Sequence, residues 1–416
     1  MKTEILSISE SLKPQLVSMR RAFHREPEPS FSETETQARI RRYLKQAGIR
    51  LTQRASLAGV VGLLEGSGPG TIALRSDMDA LNITEQTGLA FASRRKGFMH
   101  ACGHDAHMAI VLGAGLVLKH LGRRLPGRVK LIFQPAEETP PGGAPGMIKQ
   151  GVLRAPKVDA ILGLHVVPSV SSGKIAFNRG AISAAADDFR VTITGSGGHG
   201  SKPQVGVDAI VVAAQFLTAL QTVVARRVDP LDSAVVSVGR IVGGDRANVI
   251  ADRVEMEGTL RAKSETTRRA LPRMIKRILR STCAASGARG AFELVEGYPA
   301  VVVDEDFTDL VEKACIELLG RGRVTSTREI EMGGEDFAYY VRRVPGTMMF
   351  IGVHNKRKGI VHPLHHPRFD IDEDVLVAGT AAMAYSAFRY LSICADGGTY
   401  GARRRGPRRR GRGKGK

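Results

Sequence analysis

The segment Met99-His100-Ala101-Cys102-Gly103-His104-Asp105 carries a cysteine and a histidine two residues apart, so in extended backbone both side chains leave on the same side. Further along stand the acidic pair Glu137-Glu138, then His165, then a histidine-rich stretch at 362–367 that contains His365. A thiolate, imidazoles and a carboxylate form the donor mixture that suits a borderline divalent cation such as Zn²⁺, Mn²⁺, Co²⁺ or Ni²⁺. A glutamate next to such a ligand, itself free of the metal, is placed to take a proton from an activated water. That is the inventory of a hydrolase. Each residue also has a plainer reading: Cys102 as a buried thiol, Glu137-Glu138 as an acidic pair at a helix N-terminus, His165 as a core histidine.

The elements that must hold these residues are legible as short apolar runs at 60–64, 71–74, 129–133 and 160–164, with a long helical pattern at 106–121. Two helices precede them, one from about residue 10 and one over 33–48, separated by Pro27-Glu28-Pro29. Apolar runs of this length read as strands buried on both faces, and their alternation with helices gives an α/β layer fold. Polar residues follow the strands: Asp77 and Asp79 after the second, Glu137-Glu138 after the third, His165 directly after the fourth. Open α/β sheets place their sites at the carboxyl ends of strands. From Asp188 the pattern changes to a strand at 189–194, a turn Gly195-Ser196-Gly197-Gly198-His199-Gly200, a helix at 207–226, strands at 234–242 and 248–261, a helix at 264–286 and a strand near 291–295. This βαββαβ order is ferredoxin-like. The expected organisation is a catalytic domain at 1–181 and 297–396, split by a ferredoxin-like lid or dimerisation domain at 182–296, with a basic disordered tail at 397–416.

Composition narrows the class. The 416 residues are enough for two domains with their own cores. No run of about 18 apolar residues is present, so no membrane span is expected, and the first residues lack a signal peptide's apolar stretch. Four scattered cysteines make no disulfide framework; three read as reduced core thiols, and the cytosol is the expected compartment. The formal net charge is +20, and the terminal GARRRGPRRRGRGKGK supplies nine cations with no acid. That tail opens a reading of a different class, a polyanion or nucleic-acid binder. The remaining excess lies in pairs such as Arg94-Arg95 and Arg226-Arg227 and predicts no single patch. No Gly-rich phosphate loop precedes a helix.

The stretches RRAFHREPEPSFSETET, ALRSDMDAL, MHACGHDAH, FQPAEE, GLHV, ANVIAD with GTLR, GGEDFAYY and LHHPRFDIDE, running from Arg20 to Glu373, resemble in order the motifs of the metal-dependent amidohydrolases. That family includes aminoacylases, hippurate hydrolases and indole-acetyl-amino-acid hydrolases. The resemblance implies a two-metal aminopeptidase-like catalytic domain. Cys102, His104, Glu138, His165 and His365 would be the ligands of two divalent metal ions per subunit (Mn, Zn, Co or Ni), and Glu137 the general base. It implies a homodimer in which His199 reaches the partner's site and stabilises the developing oxyanion, with Asn248 and Arg261 binding substrate. Position alone, apart from the resemblance, makes one of Asp77 and Asp79 a residue that orients a ligand histidine, with a solvated turn the plainer reading; His366 is a partner that supports the ligands or polar filler, and His107, three after His104 on the helix, packs or supports them. The family pattern has serine where His366 stands and histidine where Gln204 stands. The implied substrate is a small N-acyl amino acid, with N-acetyl, N-benzoyl or similar groups; a dipeptidase or carboxypeptidase using the same site is the nearest alternative.

Overall fold

The protein, as a computed structural model, is described over residues 1–52, 59–326 and 332–398. It opens with three helices, α1 (Lys2–Ser11), α2 (Lys13–His24) and α3 (Thr34–Gln46), where the sequence predicts two. Pro14 in the first turn of α2 has no amide hydrogen to continue a helix from α1, and the chain breaks at Leu12. Strands β1 (Arg50–Leu51), β2 (Val60–Leu64) and β3 (Thr71–Asp77) follow, then α4 (His104–Leu121), β4 (Arg128–Gln134), α5 (Ala144–Lys149), β5 (Ala160–Ser171) and β6 (Ile175–Phe177). The sequence predicts that a strand ends before His165; instead β5 continues to Ser171, leaving His165 in mid-strand.

A second group of elements comes next: β7 (Ala185–Thr194), β8 (Gly198–His199), α6 (Ala209–Leu220), α7 (Thr222–Arg227), β9 (Ala234–Gly243), β10 (Val249–Ile250), β11 (Arg253–Ala262), α8 (Glu265–Ala285) and β12 (Arg289–Tyr298). Side chains of Asp208 and Ser264 cap α6 and α8 by accepting from first-turn amides. The chain then adds α9 (Glu305–Leu319), β13 (Val324–Ser326), α10 (Ala338–Val341), β14 (Gly346–His354) and α11 (Val375–Ala395).

The mixed eight-stranded sheet has the order β1-β2-β4-β3-β5-β14-β6-β13. One face is covered by a core that includes Leu16, Phe23, Ile110 and Leu391, the other by Met147, Phe337 and Tyr340. The antiparallel sheet β12-β7-β11-β9 has its own core, where Phe216 of α6 and Ile275 and Leu279 of α8 meet Phe189 and Val191. Its strand order is that of the ferredoxin-like motif. The expected long strand at 248–261 is two strands, because β10 leaves the sheet to pair with β8, setting Val249 opposite His199.

Two helical stretches bear on the expectations drawn from composition. The stretch Ala209–Arg227 is long and apolar enough, by length and composition, to cross a membrane, although Gln215, Thr218, Gln221 and Thr222 interrupt it. Its inward residues Val212, Phe216, Leu220 and Val223 pack on the four-stranded sheet's core. Part of the positive charge lines the outer face of α8, because Arg269, Arg273, Lys276, Arg277 and Arg280 recur at helical spacing on the side away from buried Leu271, Ile275 and Leu279.

The fold sets up one opening. β3 lies between β4 and β5; it pairs with β4 as far as Asp77 and Gln134, but with β5 only through Leu74 and Leu162. Beyond that point the two parallel strands part, and the site lies at their carboxyl ends.

Candidate metal centre

His107, on the first turns of α4, fills the gap between β3 and β5. Its Nδ1 lies 2.7 Å from Asp77 Oδ1, and its Nε2 accepts from the Val166 amide at 2.9 Å. Both ring nitrogens are occupied, and burial pushes its pKa down to about 4, so it is a neutral strut rather than a ligand. Gly103 starts α4 with φ of 86°, a left-handed conformation; a Cβ there would stand 2.3 Å from Val166 Cγ2. The residue between Cys102 and His104 must therefore lack a side chain.

Around this strut the expected donors converge. Cys102 Sγ is 3.4 Å from His165 Nε2. Glu138 Oε1 lies 3.8 Å from His104 Nε2 and 3.6 Å from His365 Nε2. Two triads form, Cys102–His104–His165 and Cys102–Glu138–His365, each with donor atoms close enough to share one ion. The remaining nitrogens are already committed: His104 Nδ1 donates to the Asp79 carbonyl at 2.9 Å, and His165 Nδ1 to the Val166 carbonyl at 2.7 Å. These bonds orient both rings so that each Nε2 faces the cluster. His104 Nε2 and Glu138 Oε1 are buried with no hydrogen-bond partner. A buried polar atom without a partner is costly, and a cation between these atoms would remove that cost. The donor set therefore fits divalent ions.

Two non-glycine residues with left-handed backbone present the outer groups. Ala136 (φ 55°) precedes Glu137-Glu138 and is held by its amide bonding Glu33 Oε1 at 2.7 Å. His365 (φ 63°) is held by its amide bonding the Ala101 carbonyl at 2.8 Å, which locks it to the Cys102 segment. Such backbone strain persists where the surroundings enforce it. Asp79 ties the loops together: one of its oxygens accepts from the Glu138 amide and from Ser30 Oγ, at 2.9 and 2.7 Å.

Glu137 is buried beside Glu138 and belongs to two groups of donors, one with His104 and Glu138 and one made of acids alone. With Glu335 and Asp336 it forms a second acidic cluster, and its carbonyl accepts from Tyr298 Oη at 2.6 Å. Burial pushes its pKa well above the usual carboxylate range, with repulsion from Glu335 and Glu138 adding to it. Burial likewise raises Glu138 to about 7 and the Cys102 thiol well above its usual value. Burial opposes charge on His104 too, but Asp77 and Asp79 outweigh it and push it up to about 10. Beneath them lies fully buried Arg75, which bonds Asp77 and Asp336 at 2.9 Å each and pairs with Glu335 at 3.1 Å. Neither Arg75 nor Tyr298 stands out in the sequence. A cation inside an apolar strand, as in ALRSD, is the signal that buried acids must meet it.

The cleft over this cluster encloses about 580 Å³. Arg261 reaches its wall from β11, and Val167, Ile182, Val301, Met348, Phe350 and Leu364 give it an apolar side. Three expected residues do not join. His199 is exposed, its Nδ1 accepting from the Ser201 amide at 3.1 Å. Asn248 stands beside it, its carbonyl bonded to Gly200, and neither lines the cleft. His366, expected to support the ligands, is placed elsewhere: its ring stacks on His362 at 4.3 Å and its Nδ1 accepts from the Arg368 amide at 3.0 Å.

Residues 73–389 match the model of peptidase family M20/M25/M40. An N-acetyl-L-cysteine deacetylase of Bacillus subtilis is 39% identical over 386 residues, spanning 92% of this chain and 89% of the relative. Thermostable carboxypeptidase 1 of Saccharolobus solfataricus is 38% identical over 379 residues, 90% of this chain and 95% of its own. Among solved structures, a dinuclear metal-binding peptidase of the M20 family from Bacillus subtilis superposes with a TM-score of 0.81 at 36% identity, covering 92% of this chain and 99% of that one.

Proposed function

The chain belongs to peptidase family M20/M25/M40 and is a metal-dependent amidohydrolase or peptidase, and from that premise we propose that it hydrolyses N-acyl amino acids to a carboxylic acid and a free amino acid. The observation that carries this reading is the convergence of Cys102, His104, Glu138, His165 and His365, with unpartnered His104 Nε2 and Glu138 Oε1, beside a buried glutamate that shares in another cluster. Those five side chains would hold two divalent ions, Mn, Zn, Co or Ni, which would supply Lewis-acid polarisation of an amide carbonyl and acidify water. Glu137 is the residue that takes a proton from water and delivers it to the leaving nitrogen, which departs only when protonated. Arg261 suits the substrate carboxylate, since a guanidinium meets it bidentately, and the apolar wall suits an uncharged acyl group.

His199 and Asn248 enter the reading through a second copy. Both are exposed and away from the cleft of their own chain. β9 is an edge strand with exposed Val235, Ile241 and Val242, and α6 exposes Ile210 and Val211, surfaces suited to pairing as a homodimer. In such a dimer His199 donates to the oxyanion of the partner's substrate. The division into a catalytic domain (1–181 and 297–396) and a lid or dimerisation domain (182–296) belongs to this reading; the separate core of the four-stranded sheet supports it. Free thiols at Cys102, Cys283, Cys315 and Cys394 favour a reducing compartment, the cytosol.

The test is a hydrolysis panel of N-acetyl, N-benzoyl and indole-acetyl amino acids against dipeptides, with the metal-stripped protein reloaded with Mn²⁺, Co²⁺, Ni²⁺ or Zn²⁺. Turnover of acyl amino acids well above dipeptides supports the reading; the reverse order makes the enzyme a dipeptidase with the same residues.

A further inference from the structure

The outer face of α8 has a chemistry that the hydrolytic site does not use. Arg269, Arg273, Lys276, Arg277 and Arg280 are all exposed. At 3.6 residues per turn they fall within about 100° of the helix circumference and run for about 16 Å. Arg289, at the start of β12, extends the stripe, and a groove of about 520 Å³ lies between it, Lys276 and Arg280. Glu265 is the single acid of α8, and it pairs with Arg269 at 2.9 Å. Among the described residues, Arg273, Arg277, Arg280 and Arg289 have no carboxylate in ion-pair range. The four-stranded sheet contrasts with this: Arg190, Arg240 and Arg253 are matched there by Glu293, Glu257 and Glu255. Unmatched cations aligned on one helix face repel one another unless an anion covers them.

We infer that this face of α8 is a docking surface for the phosphate backbone of duplex nucleic acid, read without regard to sequence. The stripe's length corresponds to roughly five base-pair steps of duplex. Its cations are mostly arginine, the side chain whose fork fits phosphate oxygens. Two other anionic partners fit less well. A membrane surface calls for large apolar side chains among the cations, and none on α8 is exposed. Single strands are held by stacking on open aromatic rings, and Phe292, the aromatic ring beside the stripe, is half-buried with Lys276 Nζ 5.3 Å from its centre. No residue of α8 lines the cleft, and Arg289 stands at the far end of β12 from the cleft-lining Val295 and Tyr298, so binding and hydrolysis are separable.

The experiment compares the full chain, a chain lacking 402–416, and Arg273→Gln/Arg277→Gln/Arg280→Gln made in each. Binding of a labelled 25-base-pair duplex is followed by fluorescence anisotropy over a salt series, with a single strand and anionic vesicles in parallel. The tail-deleted chain should bind duplex with a dissociation constant on the order of 1–100 μM at physiological salt, and more tightly at low salt. The triple variant should bind about tenfold or more weakly in that background, with a salt slope shallower by about 2–3, roughly one unit for each phosphate no longer neutralised. Its melting temperature and its hydrolysis of an N-acyl amino acid should match those of its parent. The inference is overturned if the tail-deleted chain does not bind duplex, or if the triple variant keeps its parent's affinity and slope. It is equally overturned by tighter binding to the single strand or to the vesicles than to duplex.

Discussion

Glu137→Gln keeps the size of the side chain and removes its charge, so it separates the two members of the acidic pair. Glu138 Oε1 lies 3.6 Å from His365 Nε2 and 3.8 Å from His104 Nε2, and it groups with Cys102 and His365; Glu137 groups with His104 and Glu138 on one side and with Glu335 and Asp336 on the other. If Glu137 is the base, its loss should slow turnover by about 10²–10⁴-fold, or about 3–5 kcal/mol of barrier. Metal content, measured by elemental analysis after dialysis, should stay at the parent's level because the ligands are untouched. The melting temperature should not fall, since burial and the neighbouring acids already oppose a charge on Glu137. Glu138→Gln should instead lose metal. The assignment is refuted by Glu137→Gln protein that has lost its metal alongside Glu138→Gln protein that has kept it.

Four further outcomes are expected. Cys102→Ala should lower metal stoichiometry and activity together, because Sγ stands in both triads; a metal-replete active variant would remove it from the ligand set. His199→Ala should lose about 10²–10³-fold in kcat with metal content unchanged, and mixing it with Glu137→Gln protein should restore activity through hybrid dimers; demonstrated subunit exchange without recovery would exclude a trans role. Gly103→Ala should destabilise by several kcal/mol, on the order of 3, since both the φ of 86° and the 2.3 Å approach to Val166 forbid a side chain; calorimetry decides. Asp372, bonded by Lys358, Asn355 and Ser172, has its carboxyl pulled down to about 2 against the pull of burial, so its stabilisation is complete above the unfolded value near 3.8 and is lost as pH falls toward 2. After allowing for solvent screening this amounts to on the order of 1 kcal/mol; thermal melts of Asp372→Asn should show a weaker acid dependence between pH 4 and 2.

The donors were legible because local pattern sufficed for them. Cys102 and His104 announce themselves by spacing, and Glu137-Glu138 by following a buried strand, and all of them meet in the cluster. What the pattern hides is which strands lie side by side. His165 reads as a strand-end residue because an apolar run stops at Leu164, yet β5 continues by pairing with β14 through Val167 after β3 has left it. The jobs of His107, Arg75 and Tyr298 depend on partners tens to hundreds of residues away, and no periodicity encodes those distances. The stripe on α8 was available in principle: its spacing is helical, but counting charges in adjacent pairs discards the phase that aligns them.

The acids of the site also explain one another. Asp77, Asp79, Glu137, Glu335 and Asp336 are all buried and Glu138 nearly so, and fully buried Arg75 meets three of them. The residues Arg75 and the histidines serve best hold their charge: Asp77 lies well below the usual carboxylate range against the pull of burial, since His104, His107 and Arg75 surround it. Asp336 bonds Arg75 and Gln134, yet burial raises it to about 7 with Glu335 adding to the shift, and Glu138 rises to the same level. Negative charge therefore exceeds what the protein's own cations offset, and the excess falls on Asp336, Glu137 and Glu138. Two divalent ions among the five proposed ligands would supply that missing charge and let Glu138 and Cys102 bind as anions. Glu137, off the ligand set and in a cluster of acids, would keep a high proton affinity, and a proton acceptor at an amide-cleaving site needs that property both to take a proton from water and to release it to nitrogen.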